Sequence, residues 1–218
     1  MGFMKINKYE HACLVIEENG EKLIIDPGLY TQTMVVQHNV SAIVLTHMHD
    51  DHCSEEQLDK ILALNPSTVI YGTDEVRERL AASRPDFVTI AVHHGDFYQV
   101  GAFTLEFFGD LHAQIHQSIP LIQNCGVMVN NKLYYPGDSF TLPDRPVEML
   151  ACPSSAPWLK VSEIMDFVNA VRPAKSMPTH NVHLSELGHQ MYNGRIKTAT
   201  EKWGGTFEFL LPGEATTV

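Results

Sequence analysis

In the stretch IVLTHMHDDHCS, residues 43 to 54, three histidines and two aspartates follow directly on a run of apolar β-formers. His47 and His49 stand two positions apart. At an extended strand end such residues project to one side, the geometry for two imidazoles on one cation. Asp51 and His52 follow as the chain turns; they do not easily share that first ion and could hold a second. Twelve histidines in 218 residues leave further ligands to find. TLEFFGDLHAQIH carries His112 and His116, KLYYPGDS carries Asp138, and AKSMPTHN carries His180, each where a strand-like run stops. Functional groups in α/β layers gather at strand ends and on the loops that follow, so these segments can converge despite their distance in sequence.

The elements that must position these residues are legible in part. HACLVIEENGEKLIIDPG holds two apolar runs separated by Asn19-Gly20, a strong hairpin signal, and ends at Asp26-Pro27-Gly28. SAIVLT is a continuous apolar run suited to a strand covered on both faces. Ser54 with Gln57 three residues on has the form of a capping box, opening a helix with Leu58, Ile61 and Leu62 at helical spacing. The histidine cluster is therefore expected on a strand-to-helix loop. STVIYGT predicts a further strand and DEVRERLAAS a helix behind it, capped by Thr73 or Asp74. Strands follow near 88–92, 97–100 and 103–108, then a hairpin turning at Asn130-Asn131. VEMLACP and AKSMPTH read as strands flanking the amphipathic helix KVSEIMDFVNAV, and the chain closes with a helix over ELGHQMYNGRIKTATEKWG and a last strand, TFEFLLP. No Pro/Ser/Gly linker divides this pattern, which predicts one layered α/β domain over residues 1–218.

Composition narrows the functional classes. With 44% hydrophobic and 19% charged residues the balance is globular, and no apolar run approaches the roughly 20 residues of a bilayer span. The N-terminal stretch meets polar residues before any long apolar core, so the expectation is a cytoplasmic protein without a membrane association. A net charge of −11, with only 15 scattered Lys and Arg, argues against nucleic acid as a partner. Cys13, Cys53, Cys125 and Cys152 are far apart and form no C-x-x-C pair, so reduced thiols are expected rather than a zinc ribbon or disulfides.

His47-x-His49-x-Asp51-His52, a later histidine, Asp138 in PGDS and His180 resemble the metallo-β-lactamase superfamily, and the N-terminal hairpin resembles the opening of the same superfamily. The resemblance runs through nearly the whole chain, nearest the branch of metal-dependent hydrolases that includes lactonase-like and N-acyl phosphatidylethanolamine phospholipase D-like enzymes. It implies a four-layer αββα sandwich. It also implies one metal on His47, His49 and a third histidine, and a second on Asp51, His52 and His180, with Asp138 bridging. For the third histidine His112 is preferred because it follows its strand run directly; His116 is the alternative, and both could line the pocket. Two divalent ions are implied, zinc by default with Mn, Fe or Ni also compatible with imidazole and carboxylate ligands.

The chemistry implied is hydrolysis of a small ester, lactone or phosphoester by a solvent nucleophile activated between two cations, with Asp51 orienting it as the catalytic carboxylate. A mononuclear iron oxygenase on the same fold and a non-catalytic metal-stabilised ligand-binding protein are the alternatives. Asp26, in IIDPG, resembles the family's strand-end aspartate that braces the metal loops. His11 sits before a strand at the same end, and Trp158 and Lys160 could cap the pocket and receive an anionic substrate. Loops near residues 29–38, 112–123, 139–146 and 153–160 are expected to shape that pocket, and a homo-oligomer is compatible with a chain of this size.

Overall fold

Alternating burial along adjacent strands sets the architecture. In the computed structural model, which describes residues 3–35 and 37–218, seven strands form a first sheet: β1 (Lys5–Lys8), β2 (Leu14–Glu18), β3 (Glu21–Ile25), β4 (Val40–Leu45), β5 (Val69–Gly72), β6 (Thr89–Ala91) and β14 (Ala215–Thr217). Met1, Gly2 and Val36 lie outside these residues, so part of the N-terminal stretch and one position of the 29–38 loop are not described. Along β2, β3 and β4, residues Leu14, Ile16, Leu23, Ile25, Ala42 and Val44 face one core. Their neighbours Val15, Ile24, Ile43 and Leu45 face another. Since side chains in a strand alternate with period two, a run apolar at every position must be covered on both faces.

A second sheet of β7 (Phe97–Val100), β8 (Phe103–Phe108), β9 (Gly126–Val129), β10 (Leu133–Tyr135), β11 (Met149–Pro153), β12 (Lys175–Thr179) and β13 (Thr206–Phe207) covers the first of those faces. Phe103, Phe107 and Val127 from it meet Ile16, Leu23 and Val44 in the central core. On the outer face of the first sheet lie α1 (Glu55–Leu64) and α2 (Asp74–Ser83), which bury Leu58, Ile61, Val76 and Leu80. Outside the second sheet, α3 (Val161–Val171) and α4 (Glu186–Glu201) bury Ile164, Phe167, Val168 and Ile196. The result is helix, sheet, sheet, helix, the expected αββα sandwich. Among the described residues no helix is long and apolar enough to cross a membrane, and all four cysteines are buried and unpaired.

The predicted turns form as read: Asn19 and Gly20 both take positive φ between antiparallel β2 and β3, and Asn130 and Asn131 do so between β9 and β10. Three details differ. The Ser54 hydroxyl makes no capping hydrogen bond; Gln57, the other half of the expected box, instead donates to Thr31 O at 2.5 Å and ties α1 to the 29–35 loop. TFEFLLP is strand only over Thr206–Phe207, at the edge of its sheet. Beyond it the chain turns at Pro212-Gly213 and crosses to the other sheet, where β14 pairs with β1. Neither β1 nor β14 carries an apolar run; β1 buries Ile6 and, unusually, Lys8, so its sequence, KINK, reads as polar.

Candidate metal centre

The sandwich brings one end of many strands together, and β4 delivers the HMHDDH loop there. Asp26, immediately after the parallel neighbour β3, braces that loop. Its carboxylate accepts the Thr46 N–H at 2.8 Å, the Thr46 hydroxyl at 2.7 Å and His52 Nδ1–H at 2.7 Å. Gly28 explains the rest of the IIDPG turn. A Cβ there would lie 1.7 Å from the Asp51 carbonyl oxygen, so only glycine lets the two loops pass. Three further site residues, His11, Asp26 and His180, hold φ near +50°, a conformation rare for side-chain-bearing residues and concentrated where surrounding structure enforces it.

From this frame the donor atoms fall into adjoining groups. His47, His49 and His112 form one, and His47, His52 and Asp138 another, with donor atoms within 4.8 Å of one another in each. Asp51, His52 and His180 lie together with His11 in a third. Asp138 stands between: its Oδ1 is 3.3 Å from His52 Nε2, and its Oδ2 is 3.4 Å from His112 Nε2 and 3.1 Å from His180 Nε2. The outward nitrogens are occupied. His112 Nδ1 donates to Ala113 O, His180 Nδ1 to Ser155 O and His52 Nδ1 to Asp26, while His47 Nδ1 meets the Thr46 hydroxyl. Such outer bonds fix each ring with Nε2 turned inward.

A set of side chains built to hold cations should show buried, inward-turned nitrogen and oxygen atoms with no protein partner. His52 Nε2, His112 Nε2 and Asp138 Oδ1 are three such atoms, buried and without a hydrogen bond, although His52 Nε2 and Asp138 Oδ1 face each other across 3.3 Å. Imidazole and carboxylate donors converging in this way fit divalent cations.

Charge differs across the centre. Burial lowers His47 well below the ordinary histidine range, and burial followed by the neighbouring His112 lowers His49, so both stand as neutral rings. Burial also opposes charge on His52 and His180, but the carboxylates outweigh it: Asp138 and Asp26 raise His52 well above its usual value, and Asp138 and Asp51 raise His180 to about 9. For Asp51, burial is outweighed by hydrogen bonds from His11 and His180, which hold the carboxyl far below its usual range. His11 itself is pushed down to about 4 by burial, against the pull of Asp51. The Val182 N–H donates to His11 Nδ1 at 3.3 Å, so in the neutral ring the proton is on Nε2 and donates to Asp51 Oδ2 at 2.9 Å. His11 therefore orients Asp51 rather than offering a lone pair of its own.

A cavity of about 390 Å³ opens over the centre and is lined by His49, Asp51, His112, Asp138 and His180. Trp158 lines it too, and its indole N–H donates to Asp138 Oδ2 at 2.9 Å. Two of the expected pocket residues are not brought there. His116 lies on an exposed loop, where its Nδ1 accepts the Ser118 N–H at 3.1 Å, because the chain turns outward after His112. Lys160 is exposed at the start of α3, where its backbone N–H donates to Glu163. Sequence reasoning also passed over Tyr30, whose hydroxyl lies 3.2 Å from His183 Nε2 on the cavity wall; its place directly after the DPGL turn was the available signal. The remaining wall is Leu29, Ile115 and Pro157, with Asp50 at its edge.

The fold and this donor set define a metallohydrolase-type centre, and comparison with known proteins agrees. A model of the β-lactamase superfamily domain matches residues 5–180, and the chain belongs to that superfamily. Over 202 residues it is 32% identical to Protein Rv0786c of Mycobacterium tuberculosis, covering 90% of this chain and 93% of that one. A UPF0173 metal-dependent hydrolase of Carboxydothermus hydrogenoformans is 26% identical over 233 residues, covering 97% and 98%. The fold is similar to that of the metallo-beta-lactamase fold protein YhfI from Bacillus subtilis, with a TM-score of 0.76 at 17% identity over 100% of both chains.

Proposed function

We propose that this protein is a metal-dependent hydrolase holding two divalent cations, zinc in the first instance, and acting on a small ester, lactone or phosphoester. The observation that carries the reading is the convergence of His52 Nε2, His112 Nε2 and Asp138 Oδ1, buried and without hydrogen bonds, between rings whose outer nitrogens are already engaged. His47, His49 and His112 would hold one cation and Asp51, His52 and His180 the other, with Asp138 facing both. Cations so held would polarise a substrate oxygen and make solvent acidic enough to attack near neutral pH.

The chain's own groups do the remaining work. Asp51, ionised and partly open to the cavity, is placed to accept a hydrogen bond from the attacking solvent and orient it. Its orientation is kept by His11 Nε2–H, and that of Asp138 by the Trp158 indole. Trp158, Ile115 and Leu29 give the cavity apolar wall beside the donor atoms.

The test is elemental analysis of protein purified without chelator or added metal, with hydrolysis of p-nitrophenyl esters, lactones and phosphodiesters followed before and after chelation. About two equivalents of zinc or manganese per chain are expected, with activity lost on chelation and restored by the metal. Hydrolysis indifferent to chelation, or no metal bound after reconstitution, would refute the reading.

A further inference from the structure

We infer that the part of the substrate away from the scissile bond is uncharged and apolar, and that the enzyme selects small neutral acyl compounds over those with a second, anionic group. This rests on the hydrolase reading and sharpens it. The cavity is at the small end of the range for ligand pockets, about 390 Å³. Beyond the donor residues its wall is Leu29, Ile115, Pro157 and Trp158, with Tyr30 and His183 as one polar position and the Asp50 carboxylate as another. Among the described residues lining it there is no lysine or arginine, and its acidic members are Asp50, Asp51 and Asp138.

Nearby cations are committed elsewhere. The Arg79 guanidinium donates to Asp50 Oδ1 at 2.7 Å and to the Met48 carbonyl, and it lines not this cavity but a smaller adjoining one, beyond Leu29 and Asp50, with Cys53, Ser54 and Glu55. Lys160 is exposed and does not line the pocket. Bound cations would serve the reacting group. A second negative group would rest on an apolar wall, losing its hydration without gaining a counter-charge. Close to carboxylates at protein-surface dielectric, that arrangement costs on the order of tenfold in binding or more.

The experiment compares two p-nitrophenyl esters of equal chain length, the neutral butyrate and one ending in a sulfonate, which ligates metals poorly. In parallel, the matching unreactive amides are titrated by fluorescence into metal-loaded Trp203→Phe protein. Trp203 is partly exposed and stacked with Arg172, and its removal leaves Trp158 as the remaining tryptophan of the chain. The neutral ester should have at least about tenfold higher kcat/KM, the neutral amide should bind correspondingly tighter, and Ile115→Arg should narrow both gaps. A sulfonated amide that binds as tightly as the neutral one overturns the inference, as does the absence of quenching by either. If neither ester is hydrolysed while the neutral amide still binds preferentially, the hydrolase reading fails and the inference about the wall stands.

Discussion

The two sides of the candidate metal centre use the same imidazole chemistry and arrive at different charge, neutral on one and cationic on the other. His47 and His49 are neutral because burial meets no carboxylate strong enough to reverse it. His52 and His180, a few ångströms away, lie among Asp26, Asp51 and Asp138 and are held protonated in the absence of a cation. Ligand type therefore does not fix a site's charge; the carboxylates behind the rings do. On the first side the neutral His47 and His49 rings meet each other, His47 Nε2 to His49 Nδ1 at 3.1 Å, whereas on the second a cation would have to compete with protons.

Removal of the residue common to both sides should have the largest effect. Asp138→Ala should lose both cations and lower hydrolysis by about a thousandfold or more, because Asp138 approaches His52, His112 and His180 alike. Asp51→Ala should lose mainly the second. Equal metal content in the two variants would remove the distinction between the sides. A narrower cut separates the first side alone: His112→Ala should lose the cation shared with His47 and His49, while His116→Ala, on its exposed loop, should keep full metal content. The reverse result would move the third histidine to His116.

How much of this could be read beforehand follows the same divide. His47, His49, Asp51 and His52 share one loop behind an unbroken apolar strand, so spacing alone exposed them, and the hairpins were marked by asparagines tolerant of positive φ. His112, Asp138 and His180 arrive singly, and their convergence depends on long-range strand order that no local pattern encodes. Exposure decided the errors: nothing in HAQIH says that the chain turns outward after His112, or that Lys160 would face solvent at the start of a helix. β1 and β14 were missed because they are short strands without apolar runs, β14 lies at a sheet edge, and one of the two residues β1 buries is Lys8.

His11 offers a subtler test of the second side. It donates to Asp51 and receives the Val182 N–H, and its carbonyl accepts the His180 N–H at 2.9 Å, so it links two of the groups expected to hold the second cation. His11→Ala should weaken the second equivalent by about ten- to a hundredfold and leave the first unchanged, as partners behind metal ligands commonly do. His11→Gln, which retains an N–H donor, should recover part of the loss. Calorimetric titration of metal into the apo protein reads both steps, and thermal unfolding shows whether either variant is merely unstable. Equal weakening of both equivalents would mean that His11 supports the fold rather than Asp51.

The smallest effect is expected beneath that histidine and should not touch metal content. The Lys8 ammonium is buried and donates to the Tyr9 and His11 carbonyls, so the loop bearing His11 rests on a desolvated cation. Burial lowers its pKa from 10.5 to about 8, which corresponds to about 3 kcal/mol of destabilisation at neutral pH. The unfolded chain binds the extra proton between these values, so stability attributable to Lys8 rises with pH from about 8 to 10.5 and is constant below 8. Comparison with Lys8→Met cancels the ionisation of cysteines and tyrosines over the same range. Denaturant unfolding should show wild type gaining on Lys8→Met across that window, with equal cation content in both. A difference that stays flat would mean that the ammonium is hydrated, and that the backbone under His11 is held by strand pairing alone.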